Sequence, residues 1–374
     1  MKFTINKEIF TKALLNTTKI IQPKSINAAL VNIKMVLDAN GLNLTGSNGG
    51  DISISQTIPL YSGDQEIIRD VRPGGVLVNA QILTNIARSI DGAELTFELM
   101  DDSLAKIANE KSVFKLNSIR VEEYPEIDFS KSGTRVEIPT KDFIDSVNEV
   151  SFAALTKESR PILTAVNFCG SNGCLTMTAT DGARLAEKKL SVVLDQVFSI
   201  NIPSKSLMEC VKSITNEQKI VLYISEKKVI FELKDTLISS RLVAGEYPNT
   251  KNIIPKQFNY FLEVNANEFL TAMNRTSLLS VERENVVKVT MNSQRVEISS
   301  KSQQVGSAVE SLNVFKFTGE RLEISFNSEL VSAAIKALKS EDVLISFIGE
   351  MKPFTVTNKN DSNIIQLITP VRTY

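Results

Sequence analysis

The 374-residue chain contains no histidine. That absence removes Ser-His-Asp and Cys-His catalysis, His-ligated metals and imidazole acid–base chemistry. Its three cysteines, Cys169, Cys174 and Cys210, are too few and badly spaced for a structural zinc site. They read as buried free thiols in a reducing compartment. No glycine is followed by lysine, so the phosphate-binding P-loop is missing, and no G-x-G-x-x-G follows a strand. Adjacent acids occur at Asp101-Asp102, Glu122-Glu123 and Glu341-Asp342. Neighbours in a strand point to opposite faces, which favours solvated turns over a Mg²⁺ site. No catalytic residue, metal or cofactor is expected. Charge of one sign is also lacking, since Lys+Arg (42) nearly balances Asp+Glu (43). Gripping a polyanion by bulk charge is thereby disfavoured, although a basic face set against an acidic one is compatible with neutrality. The N-terminus, with Lys2, Lys7 and Glu8, lacks the apolar stretch of a signal peptide. The one long uncharged run, Pro161 to Thr180, is broken by Asn167, Gly170, Asn172 and Gly173 and does not read as a membrane span. A cytoplasmic protein without membrane contact is expected.

What the chain does contain is a repeat. A polar residue, two spacers and two adjacent apolar residues open a helix-period stretch six times. The pattern stands at Asn6…Ile9-Phe10, Asn79…Ile82-Leu83, Thr140…Phe143-Ile144, Ser204…Leu207-Met208, Ala266…Phe269-Leu270 and Asn327…Leu330-Val331. Five of the six first residues are good N-caps. At the sixth, Asn265 replaces Ala266 as the cap and Glu268 is placed to complete a capping box. Two kinds of unit alternate, so the true period is roughly 125–135 residues, repeated three times. Helical stripes follow each start, as with Phe143, Ile144, Val147, Val150 and Ala154.

Between these stretches, alternating or β-branched runs read as strands, among them Gly41–Thr45, Asp51–Ile58, Lys219–Ile224, Val229–Leu233 and Val286–Met291. A helix followed by three or four short strands, twice per third, predicts an α+β fold of three similar domains with antiparallel sheets. Glu123-Tyr124-Pro125 and Glu246-Tyr247-Pro248 each close a strand-rich stretch. Domain limits are therefore expected at 1–128, 129–256 and 257–374.

Three further segments are specific. They are Thr180-Asp181-Gly182-Ala183-Arg184-Leu185-Ala186, Gly245-Glu246-Tyr247-Pro248 and the ending Leu367-Ile368-Thr369-Pro370-Val371-Arg372-Thr373-Tyr374. Together with the three-by-two repeat they resemble the bacterial β sliding clamp family, the processivity subunits of DNA polymerase III, over the whole length. The resemblance implies the DNA clamp fold, each domain being two α-β-β-β half-repeats with sheets outside and helices inside. It also implies a head-to-tail homodimer closing a ring around duplex DNA, a clamp loader, and a polymerase and other partners held by short peptide motifs. A heterologous interface whose rotation closes does give a ring.

Inner cations are then expected on or beside the helices. They are Lys12, Lys19, Lys24, Arg88 and Arg160, followed by Lys205, Lys212, Arg275, Lys336 and Lys339. Helix acids such as Glu8, Asp145, Glu149 and Glu209 offset many of them, leaving a mildly basic lining suited to sliding. For each cation taken alone, an ordinary solvated helix face is the alternative. The resemblance further implies a peptide groove built from Leu163, Thr180, Gly182, Arg184, Leu185 and Pro248. Ile253, Leu367, Thr369, Pro370, Val371 and Arg372 complete it. Apolar side chains in a shallow cleft suit peptides with Leu or Phe anchors; for Leu163 or Leu185 alone, core packing is the alternative. Ala183 stands where the family usually has histidine, and Asn252 at a usually basic position. A dimer seam is implied at Phe114, Leu278 and Leu279. Outside this reading stand a clamp-like drug-resistance protein, a carboxylate or lysine enzyme on the same scaffold, and a peptide adaptor that never encircles DNA.

Overall fold

All six predicted starts open a helix in the computed structural model, which describes every residue except 102, 158, 195, 281–284 and 373–374. The helices are α1 (Lys7–Thr18), α2 (Ala80–Ser89), α3 (Thr140–Ser151), α4 (Ser204–Ser213), α5 (Ala266–Ser277) and α6 (Ser328–Leu338). Asn6, Asn79, Asn265 and Asn327 cap α1, α2, α5 and α6 by accepting first-turn N–H groups. Three expectations fail. Ser204 is the first residue of α4 rather than the cap before it. Thr140 lies inside the first turn of α3, and its buried hydroxyl meets no partner among the described residues. Glu268 forms no capping box with Asn265, because its carboxylate accepts the Asn313 N–H at 2.7 Å. Each helix buries one stripe, as α1 does with Phe10, Ala13 and Leu14, and each large apolar side chain so buried contributes roughly 1.5–3 kcal/mol.

Strand pairings are antiparallel throughout. Strand limits differ from the sequence expectation by a residue or two, as in Val229–Leu233 against the observed Lys228–Glu232, because ladder hydrogen bonds rather than side-chain pattern end a strand. Packing groups the chain into two units, Met1–Lys141 with Lys205–Leu242 and Asp142–Ser204 with Val243–Tyr374. The first holds a thirteen-stranded sheet. Phe3, Ile33, Leu44 and Phe97 from its strands meet Phe10, Leu14 and Leu83 from α1 and α2 in one core. The second holds a nine-stranded and a four-stranded sheet, with Phe269, Met273, Val331 and Ile335 of α5 and α6 packed into its core.

Two strand pairs explain why the cut falls inside the middle third of the sequence. Thr236–Arg241 pairs with Ile52–Ile58, and Arg184–Ser191 pairs with Asp361–Ile368. Each pairing joins segments far apart in sequence and covers two edges that would otherwise be open. Among the described residues no helix is long and apolar enough to cross a membrane. The cysteines are free, but only Cys210 is buried; Cys169 and Cys174 are half-buried on a hairpin, which corrects the expectation of three buried thiols.

Candidate functional site

The sharpest local geometry lies at the turn joining strands Cys174–Thr180 and Arg184–Ser191. Asp181 organises it. Its Oδ1 accepts the Ala183 and Arg184 N–H groups at 2.9 and 3.0 Å, and its Oδ2 accepts Arg184 Nε at 3.0 Å. Gly182 sits at φ +95°, where a side chain would be strained, and donates its N–H to Thr180 Oγ1 at 3.1 Å. The Arg184 guanidinium, held by Asp181, lies 5.1 Å from the Phe152 ring centroid, a cation–π distance.

Two other segments close on this turn. Tyr247 accepts the Thr180 N–H at its hydroxyl at 3.0 Å, and burial pushes its phenol up to about 12, with the Thr180 N–H opposing. From the last strand, Leu367 pairs with Leu185 and Ile368 with Arg184. Thr369 then donates both its N–H (3.0 Å) and its hydroxyl (2.8 Å) to the Ala183 carbonyl, and Val371 donates its N–H to Ser325 O at 2.7 Å. Of the twelve expected groove residues, hydrogen bonds and register therefore bring Thr180, Gly182, Arg184, Leu185, Leu367 and Thr369 together. Leu163, on the short helix Pro161–Thr164, is buried, as are Leu185 and Leu367. Leu185 and Leu367 are register partners, whereas Pro248 and Ile253 are exposed and Pro370 and Val371 half-exposed. Ile253 stands on a turn closed by its own N–H to Thr250 O, and Arg372 is exposed.

The expected inner cations divide into two groups. Lys12, Lys24, Arg88, Arg160, Lys205 and Lys336 are exposed and form no ion pair with another described residue. The other four have partners. Lys19 donates to Ser213 Oγ at 2.7 Å and to Glu209 O at 3.1 Å, tying α1 to α4. Burial lowers the pKa of Lys19, with Glu209 opposing. Lys212 pairs with Glu209 at 2.7 Å, Lys339 with Asp145 at 3.2 Å, and Arg275 grips Glu310 with two bonds of 2.6 and 2.7 Å. These four are braces as much as free charges.

The expected seam residues stand beside open sheet edges. Along the strand Val113–Ile119, residues 113–117 pair only with Leu104–Ala108; just Ser118 and Ile119 also pair with Gly74–Asn79. Phe114 is half-buried against the core of its own unit. In the other unit, Gly306–Ser311 is the outer strand of the four-stranded sheet, with Val309 61% exposed. Leu278, at the end of α5, is 72% exposed, whereas Leu279 is only partly so.

Sequence reasoning omitted Asp181, Phe152 and Tyr247 from the groove. Asp181 was visible inside the quoted Thr-Asp-Gly turn and Tyr247 inside the repeated Glu-Tyr-Pro. Phe152 carried no signal, because its role depends on where Arg184 points. Among the described residues, no group of three or more acids or cysteines could hold a metal ion; Asp102 lies outside the described residues.

The chain was compared with known proteins. Models of the DNA polymerase III beta subunit match it over three stretches: the N-terminal domain at residues 1–128, the central domain at 137–249 and the C-terminal domain at 251–372. It is 37% identical over 379 residues to the beta sliding clamp of Bacillus subtilis (strain 168), with all of both chains covered. It is 32% identical over 377 residues to that of Staphylococcus aureus, again with full coverage of both. Among solved structures, the Bacillus subtilis DNA polymerase sliding clamp superposes with a TM-score of 0.95 at 36% identity, covering 100% of both chains. The DNA polymerase III beta chain of Streptococcus pneumoniae does so with a TM-score of 0.95 at 33% identity, also covering 100% of both.

Proposed function

The chain belongs to the DNA polymerase III beta-subunit family, the beta sliding clamps, and on that premise we propose which of its residues carry out the family's task. It is a non-catalytic processivity factor with the three-domain clamp fold. As a homodimer it encircles duplex DNA, is placed there by a clamp loader, and tethers the polymerase. The cytoplasm is the compartment this reading implies, and limits near residues 128 and 256 are its proposed domain boundaries.

The peptide groove is the surface made by the turn Thr180–Arg184, the Tyr247-Pro248 segment, Ile253 and the tail Thr369–Arg372 over a floor of Leu163, Leu185 and Leu367. The observation that carries this is Thr369, whose two bonds to the Ala183 carbonyl seat the tail on the turn. An apolar floor with an exposed rim suits a peptide whose affinity comes from a few anchors. The dimer forms where the open edge at residues 113–117 of one copy meets the open edge Gly306–Ser311 of another, with Phe114, Leu278 and Leu279 packed beside the new ladder. Lys12, Lys24, Arg88, Arg160, Lys205 and Lys336 supply mobile phosphate contacts. Lys19, Lys212, Arg275 and Lys339 hold the scaffold and contribute field rather than contacts.

A topological hold is tested on a nicked circle. Once loaded, the dimer stays bound at a salt concentration that strips ordinary phosphate contacts, and it slides off when the circle is linearised. Retention on linear DNA with free ends would replace this reading with ordinary binding, or with a peptide adaptor if the circle is never loaded.

A further inference from the structure

A cluster of buried charge lies beside the groove in the same unit. Lys188 is 7% exposed, with its Nζ 2.9 Å from Glu149 Oε2 of α3 and also bridged to Asp361. Gln366, 1% exposed, donates Nε2 to the Glu149 carbonyl at 2.8 Å, while its Oε1 meets no donor among the described residues. Lys188 pairs in register with Ile364, and Ala186 with Gln366. The last turn of α3 is therefore fastened to both strands that border the groove, at Lys188, four residues beyond Arg184, and at Gln366, one and three residues before Leu367 and Thr369.

Stability is a poor reason for this arrangement. Buried ion pairs rarely outperform apolar residues of the same volume, and their best-attested use is to fix register. Here the polar set also retains an unsatisfied amide oxygen, which costs about 1–3 kcal/mol. Register matters acutely at this place. A one-residue slip of the strand Asp361–Ile368 would turn Leu367 to the opposite face and carry Thr369 away from the Ala183 carbonyl. Apolar residues cannot forbid such a slip as firmly, because Ile364, Ile365, Leu367 and Ile368 would fill one another's places.

We infer that Lys188, Glu149, Asp361 and Gln366 are positioning residues that lock the last strand in the register that builds the peptide groove. The inference rests on the groove reading above. Burial raises the pKa of Glu149 against the pull of Lys188; at Asp361 burial pushes upward, but the Lys188 hydrogen bond, the Asn363 N–H and the Lys188 charge together lower it. Both directions fit one lysine shared unequally by two acids.

The test compares a triple variant, Glu149→Leu with Lys188→Met and Asp361→Asn, with the wild-type dimer. It uses a fluorescein-labelled pentapeptide carrying Leu and Phe anchors, and amide exchange at Thr369. The triple variant should unfold at a urea concentration at or above that of wild type. It should bind the peptide about tenfold more weakly, a size typical of coupling through a packed network, and exchange the Thr369 amide faster. Lys188→Arg, which keeps the positive charge between the two acids, should retain binding and protection. Gln366→Leu, a milder change, should move both readouts in the same direction and serves if the triple variant does not fold. Unchanged affinity and unchanged Thr369 exchange in a folded variant would overturn the inference. If wild type itself ignores the peptide, the groove reading fails instead, and Thr369 exchange alone then decides the positioning role.

Discussion

The turn Ser47–Ile52 in one unit and the turn Thr180–Leu185 in the other are built on the same plan. Asn48 Oδ1 accepts the N–H groups of Gly50, Asp51 and Ile52 at 3.0, 3.0 and 3.1 Å, as Asp181 Oδ1 accepts those of Ala183 and Arg184. Gly49 takes φ +79° and donates to Ser47 Oγ at 3.1 Å, as Gly182 does to Thr180 at φ +95°. A short helix precedes each turn, burying Leu30 or Leu163, and a Tyr-Pro pair, Tyr124-Pro125 or Tyr247-Pro248, follows. The linings then part company. Asp51 stands where Arg184 does, and Ile52 faces Ser240 where Leu185 faces Leu367. Around the first turn is a cleft of about 530 Å³ whose rim includes Asp51, Glu126, Lys227 and Arg241. Duplication supplied the frame twice, and a handful of side chains decides which copy offers an apolar floor.

Exchanging those side chains puts the comparison at risk, and the largest effect belongs to Leu367→Ser. It gives the second turn the residue found at the first. Removing a buried leucine should cost about 3 kcal/mol of stability and erase peptide binding, read from urea unfolding and fluorescence anisotropy. Full binding with that loss of stability would show that the floor is irrelevant to affinity.

Arg184→Asp comes next. It breaks the side-chain bond to Asp181 Oδ2, removes the cation from Phe152 and sets two carboxylates together. Loss of about 2 kcal/mol, or roughly thirtyfold in peptide affinity, is expected, and salt should recover part of it by screening. Lys in place of Arg184 keeps the charge but not the fork and should fall between the two. Equal affinity in all three proteins would separate Arg184 from the groove.

The frame itself is tested at its glycines. Ala at position 182 meets no atom within 4 Å, so only the positive φ opposes it; the expected cost is about 1 kcal/mol. At Gly49 a Cβ would also lie 2.6 Å from Leu30 Cδ1, so Gly49→Ala should cost a few tenths of a kcal/mol more. Urea midpoints measure both. The reverse order would mean that the two turns are not equivalent in strain.

How much of this the sequence revealed depends on distance along the chain. Helix starts were legible because capping and apolar spacing are local; Glu268 failed because Asn313, a partner that only folding supplies, takes its carboxylate, and Thr140 failed because α3 begins at Thr140 itself. The repeated Glu-Tyr-Pro was legible as a boundary mark, but its tyrosines are hooks into turns some seventy residues upstream. The likeness of Ser47–Asp51 to Thr180–Arg184 was hidden, since no side chain beyond the glycine is shared and the Asx-turn geometry tolerates both Asn and Asp. Which cations would be braced was also hidden. Lys19 finds Glu209 and Ser213 across 190 and 194 residues, and a helical wheel shows only that it is polar.

The smallest difference between the turns lies in their tyrosines. Tyr247 receives the Thr180 N–H in a 3.0 Å bond, whereas the buried Tyr124 hydroxyl, although beside the Ser47 backbone, makes no hydrogen bond of good geometry among the described residues. Burial raises both phenols, Tyr247 to about 12 and Tyr124 further. A folded-state pKa above the ordinary value of about 10 means stability that is complete below that pH. For Tyr247 it is lost as pH climbs from there through about 12. In an alkaline titration followed by tyrosinate absorbance, these two phenols should ionise late and together with unfolding. Tyr247→Phe strands the Thr180 N–H and should cost about 1 kcal/mol. Tyr124→Phe removes a hydroxyl that has no good partner and should change stability by less than about 0.5 kcal/mol, in either direction. If the two variants lose stability equally, the two hooks are alike and the contrast between the turns is confined to their linings.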